Sequence, residues 1–216
     1  MAKRRSYAGR AIEISFDMER CIHARNCFLK LPQVFDPARK PWVDPDAAPA
    51  EEIAAMIRTC PSGALAFRRL DGGRDETPPV LNRVAVLENG PLAFAGDLRV
   101  DGEAMTRATI CRCGASGSKP FCDYAHVAAG FAATGEPPAK DGDAGTDDRG
   151  GVLEITPLEN GPLQVKGAVE VTSGTGHRLN VTKTVYFCRC GNSANKPYCD
   201  GSHKRVGFTA AGPKAG

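Results

Sequence analysis

Apolar and polar positions along this chain mostly alternate with a period of two, and helical periodicity is confined to one stretch. Ile12, Ile14 and Phe16 alternate with Ala11, Glu13 and Ser15, the pattern of a half-buried strand. Ile53, Met56, Ile57 and Cys60 fall at i, i+3, i+4 and i+7, one face of a helix predicted from Ala50 to Cys60. Glu51 and Glu52 sit in its first turn, where the helix dipole favours acids. Trp42 and Val43 suit a short strand between prolines, and Ala66-Phe67-Arg68 a returning strand. Farther on, VLNRVAVLENGPLAFAG and VLEITPLENGPLQVKG carry the same string, Leu-Glu-Asn-Gly-Pro-Leu, at 87–92 and at 158–163. Asn-Gly-Pro between apolar alternations predicts a turn joining two strands. Each copy ends on His-x3-Gly-Phe, His126 to Phe131 and His203 to Phe208, so a whole unit is duplicated.

Polar, Gly- and Pro-containing stretches punctuate this pattern. Leu70 to Pro79 marks a boundary, and Gly135 to Gly151 reads as a flexible linker. Three domains follow, at 10–70, 80–134 and 152–212. With 24 Gly, 16 Pro and 6% aromatics, composition favours short strands and loops over long helices. A net charge of +3 gives no electrostatic case for nucleic acid. No apolar run approaches the roughly 20 residues that span a bilayer, so no membrane partner is expected. The start, MAKRRSYAGR, is basic but lacks the apolar core of a signal peptide. Nine cysteines, an odd number without a secretory signal, argue against a disulfide framework and for reduced thiols in the cytoplasm.

Those cysteines are grouped. Cys188, Cys190, Cys199 and His203 fall in one short run, and Cys111, Cys113, Cys122 and His126 repeat its spacings. Thiolates hold iron–sulfur clusters and zinc, and neutral imidazole suits zinc, copper, iron and nickel. The first two cysteines of each set are close enough to share one iron. Gly191, Ser193, Asn195 and Pro197 are turn formers that loop the chain back to Cys199. Two thiolates on one iron, with a thiolate and an imidazole on the other, complete a frame for a 2Fe–2S cluster. A structural zinc site is the alternative, since three Cys and one His is also a zinc set.

The second run, Cys-x-Cys-x2-Ser-x3-Pro-x-Cys-Asp-Gly-Ser-His, resembles the mitoNEET-related CDGSH iron–sulfur family at Cys188, Cys190, Ser193, Pro197, Cys199, Asp200, Gly201, Ser202 and His203. The first run matches at Cys111, Cys113, Ser116, Pro120, Cys122, Asp123 and His126, and departs where Gly-Ser becomes Tyr124-Ala125. The resemblance implies a 2Fe–2S cluster with three Cys and one His in each copy. It also implies two β-rich units paired about a two-fold axis, here as an intramolecular pseudo-dimer in a monomer. Asp123 and Asp200 read as turn caps. Lys119, Lys196, Arg112 and Arg189 are candidates for offsetting cluster charge. Phe131 and Phe208 read as ordinary core beside the loops, and His177 as a surface residue.

The N-terminal stretch resembles a divergent bacterial single-cluster ferredoxin, with CIHARNC (Cys21 to Cys27) and a late Cys60-Pro61. Ala24 stands at the middle ligand position and cannot bind metal. Cys21, Cys27 and Cys60 suit a 3Fe–4S cluster; with His23 as a fourth ligand they suit 4Fe–4S; without a cluster they are small buried apolar residues. The expected fold class is α+β, a small ferredoxin-like domain followed by two CDGSH units.

Three thiolates and an imidazole carry one more negative charge than a two-His Rieske set, which implies a potential between ferredoxin and Rieske values. Electron uptake is expected to couple to proton uptake at His126 and His203, and acid to release the cluster. Three function classes follow: an electron carrier serving a redox partner, a cluster donor or redox and pH sensor serving an apo-acceptor, and a zinc-binding interaction module. No substrate pocket motif, nucleophile triad or phosphate loop is present, so no enzymatic activity is expected.

Overall fold

The structure is a computed structural model that describes residues 4–139 and 150–214. Most of the proposed linker, 140–149, lies outside the described residues. The chain divides into two compact units, Met1–Thr77 and Pro78–Gly216, and both motif copies belong to the second.

In the first unit, strands β1 (Arg5–Ala8), β2 (Ile12–Phe16) and β3 (Leu65–Arg69) form an antiparallel sheet in the order β1-β2-β3. β1 comes from the basic opening, whose alternation is too weak to announce a strand; it forms as the antiparallel neighbour of β2. The short helix α1 (Asn26–Lys30) follows the Cys21–Cys27 run, and α2 (Ala50–Arg58) is the amphipathic helix. Ile53, Ala54, Met56 and Ile57 of α2 are buried against Ile12, Ile14, Phe35 and Leu65 in one core. Trp42 anchors the connecting loop there. Its ring meets Phe16 edge-on at 4.9 Å and its Nε1–H donates to the Tyr7 hydroxyl at 2.9 Å.

The second unit is a six-stranded sheet, β4 (Arg83–Val86), β5 (Leu92–Val100), β6 (Glu103–Ile110), β7 (Val152–Pro157), β8 (Leu163–Ser173) and β9 (Arg178–Phe187). Each repeat supplies a short strand and a long hairpin. The short strands cross over: β4 pairs antiparallel with its own β5 and parallel with β8, while β7 pairs antiparallel with its own β8 and parallel with β5. Asn82, buried before β4, ties the repeats together by donating from Nδ2 to the carbonyls of Gly151 and Ala168. The alternating apolar residues of all these strands form a single core, in which Phe94 and Phe187, one from each repeat, meet edge-on at 6.1 Å. Among the described residues no helix is long and apolar enough to cross a membrane.

Candidate metal centres

β6 and β9 end immediately before the first cysteine of each motif, so a rigid strand delivers Cys111 and Cys188. The loop then folds back on that strand. Cys111 N–H donates to Pro120 O at 2.9 Å and Cys122 N–H to Thr109 O at 2.9 Å; Cys188 donates to Pro197 O at 2.8 Å and Cys199 to Tyr186 O at 2.9 Å. The motif serine closes each loop, with Ser116 Oγ donating to Phe121 O and Ser193 Oγ to Tyr198 O, both at 2.7 Å. Each motif aspartate bridges two backbone amides: Asp123 accepts from Gly117 and Ala125, and Asp200 from Ala194 and Ser202. At Asp123 burial opposes ionisation, but those amides outweigh it and hold the carboxyl below its ordinary pKa. At Asp200 the amides of Ser202 and Ala194 do the same, against a burial penalty that ranks below them.

A single helical turn carries each histidine, α3 (Ala125–Ala128) and α4 (Ser202–Arg205). The turn is entered through a left-handed residue, Tyr124 (φ 73°) in one repeat and Gly201 (φ 84°) in the other. In the first repeat the Tyr124 ring meets His126 edge-on at 5.1 Å.

The candidate ligand atoms are grouped in pairs. Cys111 and Cys113 Sγ lie 3.5 Å apart and Cys188 and Cys190 Sγ 3.8 Å. Cys122 Sγ is 3.4 Å from His126 Nδ1 and Cys199 Sγ 3.5 Å from His203 Nδ1. Two thiolates on one tetrahedral metal, at bonds of about 2.3 Å, stand about 3.8 Å apart, so each pair fits one metal. Among the described residues no three or more His, Cys, Asp or Glu side chains converge on a single ion. Cys111 and Cys113 share a proton: the Cys113 thiol stabilises a Cys111 thiolate, drawing its pKa down to about 6, and that thiolate then pushes Cys113 up. Burial pushes Cys122 up to about 11, so a bound cation is what would ionise the whole set. Backbone N–H groups of Ala115, Tyr124, Asn192 and Gly201 point at the sulfurs of Cys113, Cys122, Cys190 and Cys199.

Comparison with known proteins bears on these loops directly. The model of the iron-binding zinc finger of CDGSH type matches residues 89–127 and again 160–204. The chain belongs to the CDGSH iron–sulfur family. Its N-terminal unit matches a divergent 4Fe-4S mono-cluster domain over residues 7–70. The chain is also 39% identical over 64 residues to the uncharacterized protein YjdI of Escherichia coli K12, which is 30% of this chain and 84% of that one. YjdI of E. coli O157:H7 matches to the same extent. This is an iron–sulfur-binding protein with two CDGSH loops behind a mono-cluster domain.

The structure adds the surroundings of the other residues of the CDGSH loops, and at the two phenylalanines it differs from the sequence reading. Arg112 and Arg189, the arginine candidates for offsetting cluster charge, are each 1% exposed. Arg112 donates to the carbonyls of Gly90 and Leu87 at 2.6 Å each, and to Ala133 at 3.1 Å. Arg189 donates to Gly161 at 3.1 Å, Leu158 at 2.8 Å and Ala211 at 3.2 Å. They fasten the Asn-Gly-Pro turn and the segment after the histidine to the loop. Phe131 and Phe208 are not core: both are half-buried, and lie on these guanidinium groups at 5.4 and 5.5 Å. Lys119 and Lys196 fold back to donate to Ser116 O and Ser193 O. His177 is exposed, 3.7 Å from Glu136.

In the N-terminal unit Cys21, Cys27 and Cys60 are half-buried against the core. Burial raises the pKa of Cys21 and Cys27, and repulsion from neighbouring thiolates adds to it: Cys60 acts on Cys21, and both Cys21 and Cys60 act on Cys27. The sequence-distant Cys60 packs against the same core as the other two. Asn26 holds this arrangement by donating to Thr59 O at 2.8 Å. His23 is exposed with a left-handed backbone (φ 52°).

Proposed function

We propose that each CDGSH loop holds one 2Fe–2S cluster through three cysteines and one histidine, and that the protein transfers electrons with proton coupling at the histidine ligands. The two-by-two grouping of ligand atoms carries this reading. One pair of donors per metal suits a binuclear cluster, whereas a zinc site needs all four on one point. A 2Fe–2S cluster supplies reversible one-electron chemistry when bound. Cys111 with Cys113 and Cys122 with His126 would hold its two irons, and Cys188 with Cys190 and Cys199 with His203 those of the other. The four backbone N–H groups aimed at the sulfurs favour the more negative state and raise the potential. Each histidine turns Nδ1 to its cysteine, which leaves Nε2 as the nitrogen that exchanges a proton.

The reciprocal strand pairing supports an intramolecular pseudo-two-fold, with the chain acting as a monomer. The packing of Cys21, Cys27 and Cys60 against one core, in a unit that matches a mono-cluster model, supports a ferredoxin-like first unit with a third cluster, 3Fe–4S through the three cysteines or 4Fe–4S with His23 added. The partner is then a redox protein in the cytoplasm, with no nucleic acid, membrane or catalytic turnover involved. The half-exposure of His126 and His203 favours a second reading, a cluster donor or redox and pH sensor that serves an apo-acceptor.

Iron and acid-labile sulfide per chain, with EPR, on anaerobically purified protein test this. About four irons are expected from the two loops, and about seven or eight if the first unit holds a 3Fe–4S or 4Fe–4S cluster. Reversible reduction without iron loss would support the carrier, and transfer to an apo-acceptor the donor. Zinc without visible absorbance would overturn both.

A further inference from the structure

The two histidine turns share one backbone frame. Ala129 N–H donates to Ala125 O and Phe131 N–H to His126 O in the first repeat; Val206 N–H donates to Ser202 O and Phe208 N–H to His203 O in the second. Their surfaces differ. Val127 and Ala128 follow His126, whereas Lys204 and Arg205 follow His203, and all four are exposed. With Val127 55% and Tyr124 37% exposed, the first turn presents an apolar and aromatic surface. The second presents two cations. Arg205 Nη2 donates to Ser202 Oγ at 3.2 Å, which holds the guanidinium along the turn. Among the described residues neither Lys204 nor Arg205 pairs with a carboxylate. The acid of each loop, Asp123 or Asp200, occupies the same place and accepts from two backbone amides, so it does not distinguish the repeats.

The cover over the cysteine on the histidine side differs in the same sense. Cys122 is buried, whereas Cys199, 3.5 Å from His203 Nδ1, is half-buried. Tyr124, whose ring meets His126, stands where the second loop has Gly201, and a Cβ at Gly201 would meet open space. On this side the second loop is both the more open and the more charged.

We propose that the His203 turn docks an acidic protein surface through Lys204 and Arg205, and that the His126 turn is not part of that interface. The proposal names the partner class of the electron carrier and rests on the 2Fe–2S reading for the electron; the docking itself needs only the two cations. Charges at the rim of an interface steer encounter and set its salt dependence. Two cations on one turn suit a local acidic patch, whereas nucleic acid calls for a basic stripe or face.

The test titrates fluorescein-labelled polyglutamate with the full holoprotein and reads anisotropy at about 10 mM ionic strength, where charges act over about 30 Å. Lys204→Val with Arg205→Ala gives the second turn the residues of the first, and should weaken binding at least about tenfold. Lys166→Ala with Lys183→Ala removes the same charge from exposed strand positions, and should cost less than about threefold. Val127→Lys with Ala128→Arg should tighten binding at least about threefold, a gain that misfolding cannot produce. Hexacyanoferrate(III) then ties the surface to a cluster: it takes one electron from the reduced holoprotein and becomes hexacyanoferrate(II). One kinetic phase of that oxidation should slow at least about threefold in the Lys204 and Arg205 variant while the other holds. Equal losses in the two lysine- and arginine-depleted variants, no gain on the graft, or both phases slowing alike would overturn the proposal. Tighter binding of polyuridylate than of polyglutamate would overturn the choice of an acidic protein. Absence of any 2Fe–2S absorbance from the unaltered protein would overturn the cluster reading instead, and the polyglutamate titration would still decide the docking.

Discussion

Tyr124 and Gly201 occupy the same place in the two loops with nearly the same backbone, but only glycine adopts it freely. A side chain in the left-handed region costs about 1–2 kcal/mol. Tyr124 offsets that through its edge contact with His126, an interaction worth roughly 0.5–1.5 kcal/mol. Tyr124→Gly and Tyr124→Ala both lose the ring, and only the glycine relieves the backbone. Denaturant unfolding of the apo-protein should therefore find the glycine variant about 1 kcal/mol more stable than the alanine variant; equal stabilities would show that φ at this site is not strained. At the histidines, proton coupling should make the potential fall as pH rises, by up to about 59 mV per pH unit. Replacing both His126 and His203 by Cys should flatten that slope, and an unchanged slope would remove the histidines from the proton chemistry. At this scale the motif loops were legible, and the two family-model segments fall on them, because their chemistry is written in residue type and spacing. The arginines were not. Arg112 and Arg189 sit between cysteines in the sequence, but their guanidinium groups reach carbonyls some twenty to thirty residues away, and no local pattern announces that reach.

The loop between strand and helical turn is held by polar closures and close backbone contact, since little of it is apolar. Gly191 and Gly201 belong to the same loop with φ of 79° and 84°. A Cβ at Gly201 meets open space, whereas one at Gly191 runs into the Cys113 backbone of the other repeat. Gly201→Ala should thus lose only the backbone term of about 1 kcal/mol, and Gly191→Ala an additional 1–3 kcal/mol or so from overpacking. Equal losses would mean that the loops do not touch as described. Asp200 caps the same loop. Its carboxyl is held below the ordinary pKa by backbone amides, so the ionised form stabilises the fold. That contribution is complete above the unfolded value of about 3.9 and is lost as pH falls through the lower folded value. Asp200→Asn should accordingly unfold earlier than the unaltered protein at pH 7, with the gap closing below pH 4; a gap independent of pH would assign the effect to shape rather than charge. The strand–turn–strand elements and α2 followed directly from periodicity. β1 did not, because a polar edge strand forms only once β2 offers it a partner.

The duplication was plain in the sequence, but the interleaving was not, because contiguous repeats give no sign that each short strand will bridge to the other's hairpin. The charges at those bridges explain why the pairing is between unlike repeats. Arg83 lies opposite Glu170 in the β4–β8 register, and Arg99 opposite Glu154 in the β5–β7 register. Positions 83 and 154 correspond in the duplication, as do 99 and 170. Two copies of the first repeat paired in this register would set Arg83 opposite Arg99; two copies of the second would set Glu154 opposite Glu170. Like charges directly opposite destabilise a strand pair and opposite charges support it, by roughly 0.2–1 kcal/mol each. The observed pairing sets unlike charges opposite at both sites: Arg83 Nε lies 3.5 Å from Glu170 Oε1, while Arg99 Nη1 is 2.7 Å from Asp97 Oδ1 on its own strand. In the full chain, Glu170→Arg should therefore lower stability by about 1 kcal/mol, and adding Arg83→Glu should recover most of the loss. The recovery should weaken in high salt, since Arg83 is partly exposed. A second double variant, Arg99→Glu with Glu154→Arg, should show a smaller recovery at the other bridge, since Arg99 already pairs with Asp97. Additive losses in both double variants would leave the apolar core as the whole reason that the two repeats pair, and would remove charge from the account of why unlike repeats are matched in this register.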